Sequence, residues 1–332
     1  GLSGVSGFPF TGDAQITGSL LISGSLQLDY NGNNNIVIGS GSGENISTAA
    51  DSIIIGNNAA TAINTGGSQV IIGQNAADDS TFSSQASNVI IGRNAASNVT
   101  FGGYDDENVY IGSSAGSNAV GNQSVGIGSN AGSGDRQFST DVGYQAGSSN
   151  GDNNTSIGYK TLANSSAEGS PNNVAIGYKA LQGNSYSINI GSVAVGYEAL
   201  QANYRANYST AVGYQAGYSQ YGNTSGTSAF DKASYNTYLG YKAGYTNYTG
   251  SYSVVIGPEA ASGSAHVDKS LIIGSGSFNL ISGSFETGNV EFNNAVTASF
   301  FKGDGSALTN VPATAFPFTG DAQITGSLTI SG

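Results

Sequence analysis

Few residues of this chain could do chemistry. His266 is the sole histidine and cysteine is absent, so a His-based triad or a site of several His and Cys ligands is excluded by count. Carboxylates cluster at Asp78-Asp79 and at Asp105-Asp106-Glu107. Paired carboxylates can cleave a glycan or hold calcium, but both clusters fall in loops, where acids serve as turn and solubility residues. His266 likewise reads as an exposed loop residue. "GSGSGE" (Gly39–Glu44) lacks the Lys-Ser/Thr of a phosphate loop, and "GDGSALTN" (Gly303–Asn310) lacks calcium-loop spacing. We therefore expect no catalytic residue, no metal ligand, no cofactor and no enzyme activity.

Tyrosine is more informative. Of 19 tyrosines, 16 lie between Tyr144 and Tyr252. Six of them, Tyr144, Tyr159, Tyr178, Tyr197, Tyr214 and Tyr241, follow a glycine in one recurring phrase, and the spacing predicts a stacked ladder. The others look irregular and loop-borne. Flat apolar rings beside Asn, Gln and Ser suit carbohydrate. The candidate binding residues are Tyr204, Tyr208, Tyr218, Tyr221, Phe230 and Tyr235, in and before the longest excursion, Tyr214 to Gly240. The plainer reading is that tyrosine covers a thin rod.

The phrase itself is an aliphatic or β-branched residue, any residue, an aliphatic residue, then glycine. It occurs fourteen times, ending at Gly39, Gly56, Gly73, Gly92, Gly112, Gly128, Gly143, Gly158, Gly177, Gly196, Gly213, Gly240, Gly257 and Gly274. A fixed phrase at a near-fixed period marks stacked copies of one unit, an all-β parallel solenoid of about fourteen rungs. At ~4.8 Å per rung the array is about 65 Å long. The two flanking aliphatics share one strand face, which we expect to be the buried one; the middle residue then points outward. Where that residue is apolar, as at Val37, Ile54, Ile71 and Ile90, chain–chain contacts are expected. Glycine permits the corner, and Ala three residues later suits a narrow interior.

Three parts follow: a β-rich connector over 1–30, the repeat array over 31–275, and a second connector over 276–332. Phe8–Gly24 and Phe316–Gly332 differ only at Leu21 versus Thr329. That repeat suggests a larger tandem array, or one connector type used twice. With no Met at position 1, the chain reads as a segment of a longer polypeptide or a processed product. Net charge is −12, and the nine Lys plus Arg are scattered. No basic stripe follows a phosphate backbone, so nucleic acid is not an expected partner. No apolar run is long enough for a membrane span, and no signal peptide opens the chain.

"NNVAIGYKAL" (Asn172–Leu181), "SVAVGYEAL" (Ser192–Leu200) and "STAVGYQAG" (Ser209–Gly217) resemble rungs of trimeric autotransporter adhesin heads, repeats that also occur in phage tail fibres. "SFFKGDGSALTNVP" (Ser299–Pro312) with its "ITGSL" units resembles connector segments of marine phage tail fibres. The resemblance implies a left-handed β-roll assembled as an intertwined homotrimer. It also implies a structural segment of a virion fibre that contacts neighbouring segments and host-surface glycan. The alternative is an extracellular bacterial adhesin or filament with the same fold. An ice-binding solenoid would need a regular Thr-x-Thr ladder, and the middle positions supply none.

Overall fold

The computed structural model describes residues 33–297 and 299, apart from the stretches 64, 82–86, 100–106, 120–121, 135–136, 149–150, 164–169, 184–188, 205–206 and 222–232. Two compact units divide the chain, residues through Asn293 and residues from Asn294. The first is a parallel β-solenoid. Every phrase forms a short strand, from Ile36–Ile38 to Ser270–Ser275, and each pairs in parallel with the next phrase's strand. Register is kept throughout, Val174 facing Val193 and Ile176 facing Val195, for example. Complete turns number about 11, slightly fewer than the fourteen rungs expected. The last phrase strand turns back into an antiparallel hairpin with Phe278–Ser284, which pairs in turn with Val290–Phe292.

The faces of the strands are opposite to those expected. The middle residue points inward: Ile54, Ile71, Ile90, Tyr110, Asp141, Ser156, Ala175, Ala194, Ala211, Tyr238 and Val255 are all buried. The flanking aliphatics are partly or fully exposed, as at Val70 and Ile72, or Thr155 and Ile157. Period two puts the pair on one face but does not say which face is inside. The narrow interior decides it, because a three-residue strand offers one side chain inward and this rung has room for only one.

In most rungs interior volume is balanced between two positions, the strand's middle residue and the residue four past the corner glycine. Ile54, Ile71 and Ile90 are matched with Ala60, Ala77 and Ala96. Ser156, Ala175 and Ala194 are matched with buried Leu162, Leu181 and Leu200. Tyr110 and Tyr238 are matched with glycine, and a Cβ on Gly116 or Gly244 would lie 2.5 or 2.0 Å from the ring. At Gly126 the ring of Tyr110 from the preceding rung fills the gap, 2.9 Å from where a Cβ would stand. Close packing of this kind leaves each rung little freedom to change one partner alone.

The backbone is tied between rungs. The N–H of Ile53 donates to the Gln69 carbonyl one rung on, while the N–H of Gly56 donates back to the Ile38 carbonyl. Four residues before each corner glycine lies a buried Asn, Ser or Gln, whose side-chain oxygen accepts the backbone N–H of its successor in the next rung. The series runs unbroken through Asn35, Ser52, Gln69, Asn88, Asn108, Ser124, Ser139, Asn154, Asn173, Ser192, Ser209, Asn236 and Ser253 to Ser270. Asn173 shows the full pattern: Oδ1 accepts from Ser192 N at 2.8 Å, while Nδ2 donates to the Ser170 and Asn189 carbonyls at 2.8 and 2.7 Å.

Corners impose the strictest rule. Gly177 has φ of +130°, and a Cβ on it would lie 2.4 Å from the Gly196 carbonyl oxygen. Gly177→Ala combines a disfavoured backbone with a backbone clash and is expected to cost on the order of 3 kcal/mol. Gly263→Ala, where nothing lies within 4 Å, should be close to neutral. Thermal unfolding of the two variants checks the contrast. By the same measurement Asn173→Ala should cost roughly 2–4 kcal/mol, since three buried backbone groups lose their partner. Asn173→Ser should recover part of that, because serine keeps the acceptor.

Candidate binding surface

Because the rungs stack in register, any rung position repeats as a column about 5 Å apart. The residue after the corner glycine is one such column. Tyr144, Tyr159, Tyr178, Tyr197, Tyr214 and Tyr241 stack face to face, with successive centroids 5.2, 5.1, 4.8, 4.9 and 5.4 Å apart. The expected ladder is present. Its rings remain exposed, from 38% at Tyr178 to 46% at Tyr241, and what they expose is edge and hydroxyl, since the faces meet each other.

The next residue in each of these rungs is Gln145, Lys160, Lys179, Glu198, Gln215 or Lys242. Lys160, Lys179 and Lys242 place Nζ 5.4, 5.3 and 5.2 Å from the centroid of the adjacent tyrosine ring. Glu198 Oε2 accepts a bond from Gln215 Nε2 at 2.7 Å. Partial burial, and then the Glu198 carboxylate beside it, holds the Tyr197 hydroxyl above its ordinary pKa. A hydrogen bond with Tyr241, followed by that ring's charge, raises Lys242. Both groups therefore stay protonated through the neutral range.

The six candidate residues distribute over several columns. Tyr208, Tyr235 and Tyr252 stand five residues before a corner glycine, Tyr208 stacking on Tyr235 at 5.1 Å and Tyr235 on Tyr252 at 4.9 Å. Both faces of Tyr235 are covered in this way, and the far side of Tyr208 lies over Gly191. Tyr218 stacks on Tyr245 at 4.9 Å in a separate column, five residues after the corner. Tyr204 and Tyr221 end the strands Ala202–Tyr204 and Ser219–Tyr221, a small second sheet in which they are register partners. Phe230 lies outside the described residues. The aromatics that look irregular in the sequence are thus periodic once counted from the nearest glycine rather than from each other, and that numbering was the signal available.

Among the acids and histidine, Asp78 accepts from Thr61 Oγ1 of the preceding rung, and His266 Nδ1 meets Thr249 Oγ1 at 2.9 Å on the exposed surface. Asp105 and Asp106 lie outside the described residues. Among the described residues no three His, Cys, Asp or Glu side chains come together as a metal site, and no helix is long and apolar enough to cross a membrane. Comparison with known protein families, with curated proteins and with solved structures finds no match.

Tyr238 is the buried exception among the tyrosines. Burial pushes its hydroxyl far above the usual range, against the pull of the bond that Asn247 Nδ2 donates to it at 2.8 Å. A raised folded-state pKa means that the unfolded chain releases this proton first. The stability it contributes is complete below pH ~10 and is lost as pH rises beyond it. Alkaline unfolding followed by circular dichroism should begin above that point. Tyr238→Phe should flatten the decline while losing about 1 kcal/mol at neutral pH with the hydroxyl's bond.

Proposed function

We propose that this chain is a structural segment of a homotrimeric extracellular or virion fibre of the tail-fibre type. In this reading it spans distance and presents its side to host-surface glycan. The observation that carries the reading is the outer face of the parallel sheet. Both flanking columns of the phrase are aliphatic or threonine from Ile36 and Ile38 to Leu271 and Ile273. Ile38, Ile127, Ile157, Ile176, Val212 and Leu239 are 36–48% exposed in the single chain. A continuous apolar face of this length on an otherwise Asn-, Ser- and Gly-rich surface calls for a cover. Parallel copies turned about a common axis would bring every copy's face to that axis along its whole length. The hairpin after the last rung exposes apolar side chains on both of its faces, Phe278 and Leu280 on one and Val290 and Phe292 on the other. Threefold symmetry and the fibre role come from the resemblance of the rungs.

Chain–chain contact therefore moves from the middle residues to the flanking ones. Each isoleucine so covered contributes roughly 1.5–3 kcal/mol. Light scattering on the purified chain should give three times its 33.3 kDa mass. Ile157→Asp combined with Ile176→Asp should yield a smaller species that keeps its β-sheet circular dichroism. Ile71→Asp, by contrast, should abolish the β signal, since that side chain is in the core. A wild-type chain that is a stable monomer at micromolar concentration would overturn the reading.

A further inference from the structure

We propose that the column Tyr144, Tyr159, Tyr178, Tyr197, Tyr214 and Tyr241 binds an extended, carboxylate-bearing polysaccharide laid along the stacking direction, with one sugar per rung. The inference rests on the fibre reading for its biological setting and deepens it by naming a ligand class and a site. Ring faces, the usual platforms for a sugar, are taken up inside the column, whose centroids are 4.8 to 5.4 Å apart. What is left is a straight row of phenolic hydroxyls at the rung repeat. One isolated sugar would meet only one or two of them, so the row favours a polymer of matching repeat. An extended β-1,4-linked glycan advances per sugar by close to the roughly 5 Å spacing of a parallel sheet, and because alternate sugars are turned to opposite sides, like hydroxyls and carboxylates face the column at every second rung.

Charge selects the class of polymer. The chain carries −12 overall, yet three of its nine Lys and Arg residues stand along this column. Lys160, Lys179 and Lys242 hold Nζ 5.2 to 5.4 Å from the centroids of its rings. From Tyr144 to Lys179 the column and the residues next to it carry no acid. Glu198 farther along the column and Glu259 beside Lys242 are carboxylates, so the positive stretch is the one at Lys160 and Lys179. A second copy's aliphatic face is a poor cover for this column, because it would strip water from the Lys160 and Lys179 ammonium groups without a counter-charge. Uronate carboxylates supply that counter-charge, and the phenols donate to them or to sugar hydroxyls.

Calorimetry on the whole assembled chain tests this with β-1,4-linked oligo-uronates of two and six sugars and a neutral β-1,4-linked glucose hexamer. The six-sugar uronate should bind, and the two-sugar one should bind at least about tenfold more weakly, as engaging several rungs demands. The neutral hexamer should also bind about tenfold more weakly, and added salt should weaken the uronate but not the neutral sugar. Tyr159→Phe with Tyr178→Phe keeps the stack and removes two hydroxyls, so β-sheet circular dichroism should be unchanged while affinity falls about tenfold or more. Lys160→Gln with Lys179→Gln should erase the preference for the charged sugar. No binding of the six-sugar uronate, equal binding of the neutral hexamer, or indifference to the Tyr→Phe pair would overturn the proposal. So would resistance of the column to tetranitromethane nitration in the assembled chain, which would mean that a second copy covers it. Light scattering reports the oligomer separately, so failure of the fibre reading and failure of the sugar site are told apart.

Discussion

Everything in this solenoid follows from one constraint: a rung satisfies its backbone through its neighbours, so successive rungs must trace the same path in register. Besides the corner, the residues two and four past it take left-handed φ in rung after rung, as at Asn58 and Ala60, Lys160 and Leu162, or Glu259 and Ala261. For leucine this conformation costs about 1–2 kcal/mol, yet Leu162, Leu181 and Leu200 adopt it with φ of 47 to 51°. Their burial in the core offsets the cost. The Asn and Ser series before the strands serves the same end, carrying a side-chain acceptor to the one backbone N–H that the next rung presents beside it.

Given identical paths, the interior is a column of fixed bore, and the sequence varies only by trading volume within it. Isoleucine goes with alanine, leucine with serine or alanine, and tyrosine with glycine. The apolar interior is accordingly in two clusters, one from Ile46 to Ala119 and one from Leu162 to Val267. Gly126, Asp141 and Ser156 occupy the strand positions between them. Stability is then spread thinly over many similar units, as expected of a quasi-one-dimensional array.

The same repetition generates surface. A side chain that would be unremarkable once becomes a stripe when it recurs at every turn: aliphatic on the sheet face, aromatic beside the corner. Stacked tyrosines lose their faces to one another and show only edges and hydroxyls, which changes the kind of ligand they suit. The fold thus converts a sequence period into a ruler of regularly spaced functional groups.

The sequence by itself determined the class of fold, the places of the strands and corners, and the tyrosine ladder. Those depend on local rules, the alternation of a strand and the need for glycine where φ is positive and a Cβ would strike the next rung. It did not determine which strand face is inside. The run Val70, Ile71 and Ile72, all apolar, is symmetric between the two possibilities, and only the width of the closed rung, set by Ala76 and Ala77, admits Ile71 alone. Nor did it show that Tyr208 and Tyr235 are stacked, because loops of unequal length hide their common distance from the corner glycines. Register between rungs restores that distance, and register is a property of the assembled hydrogen bonds rather than of any one segment.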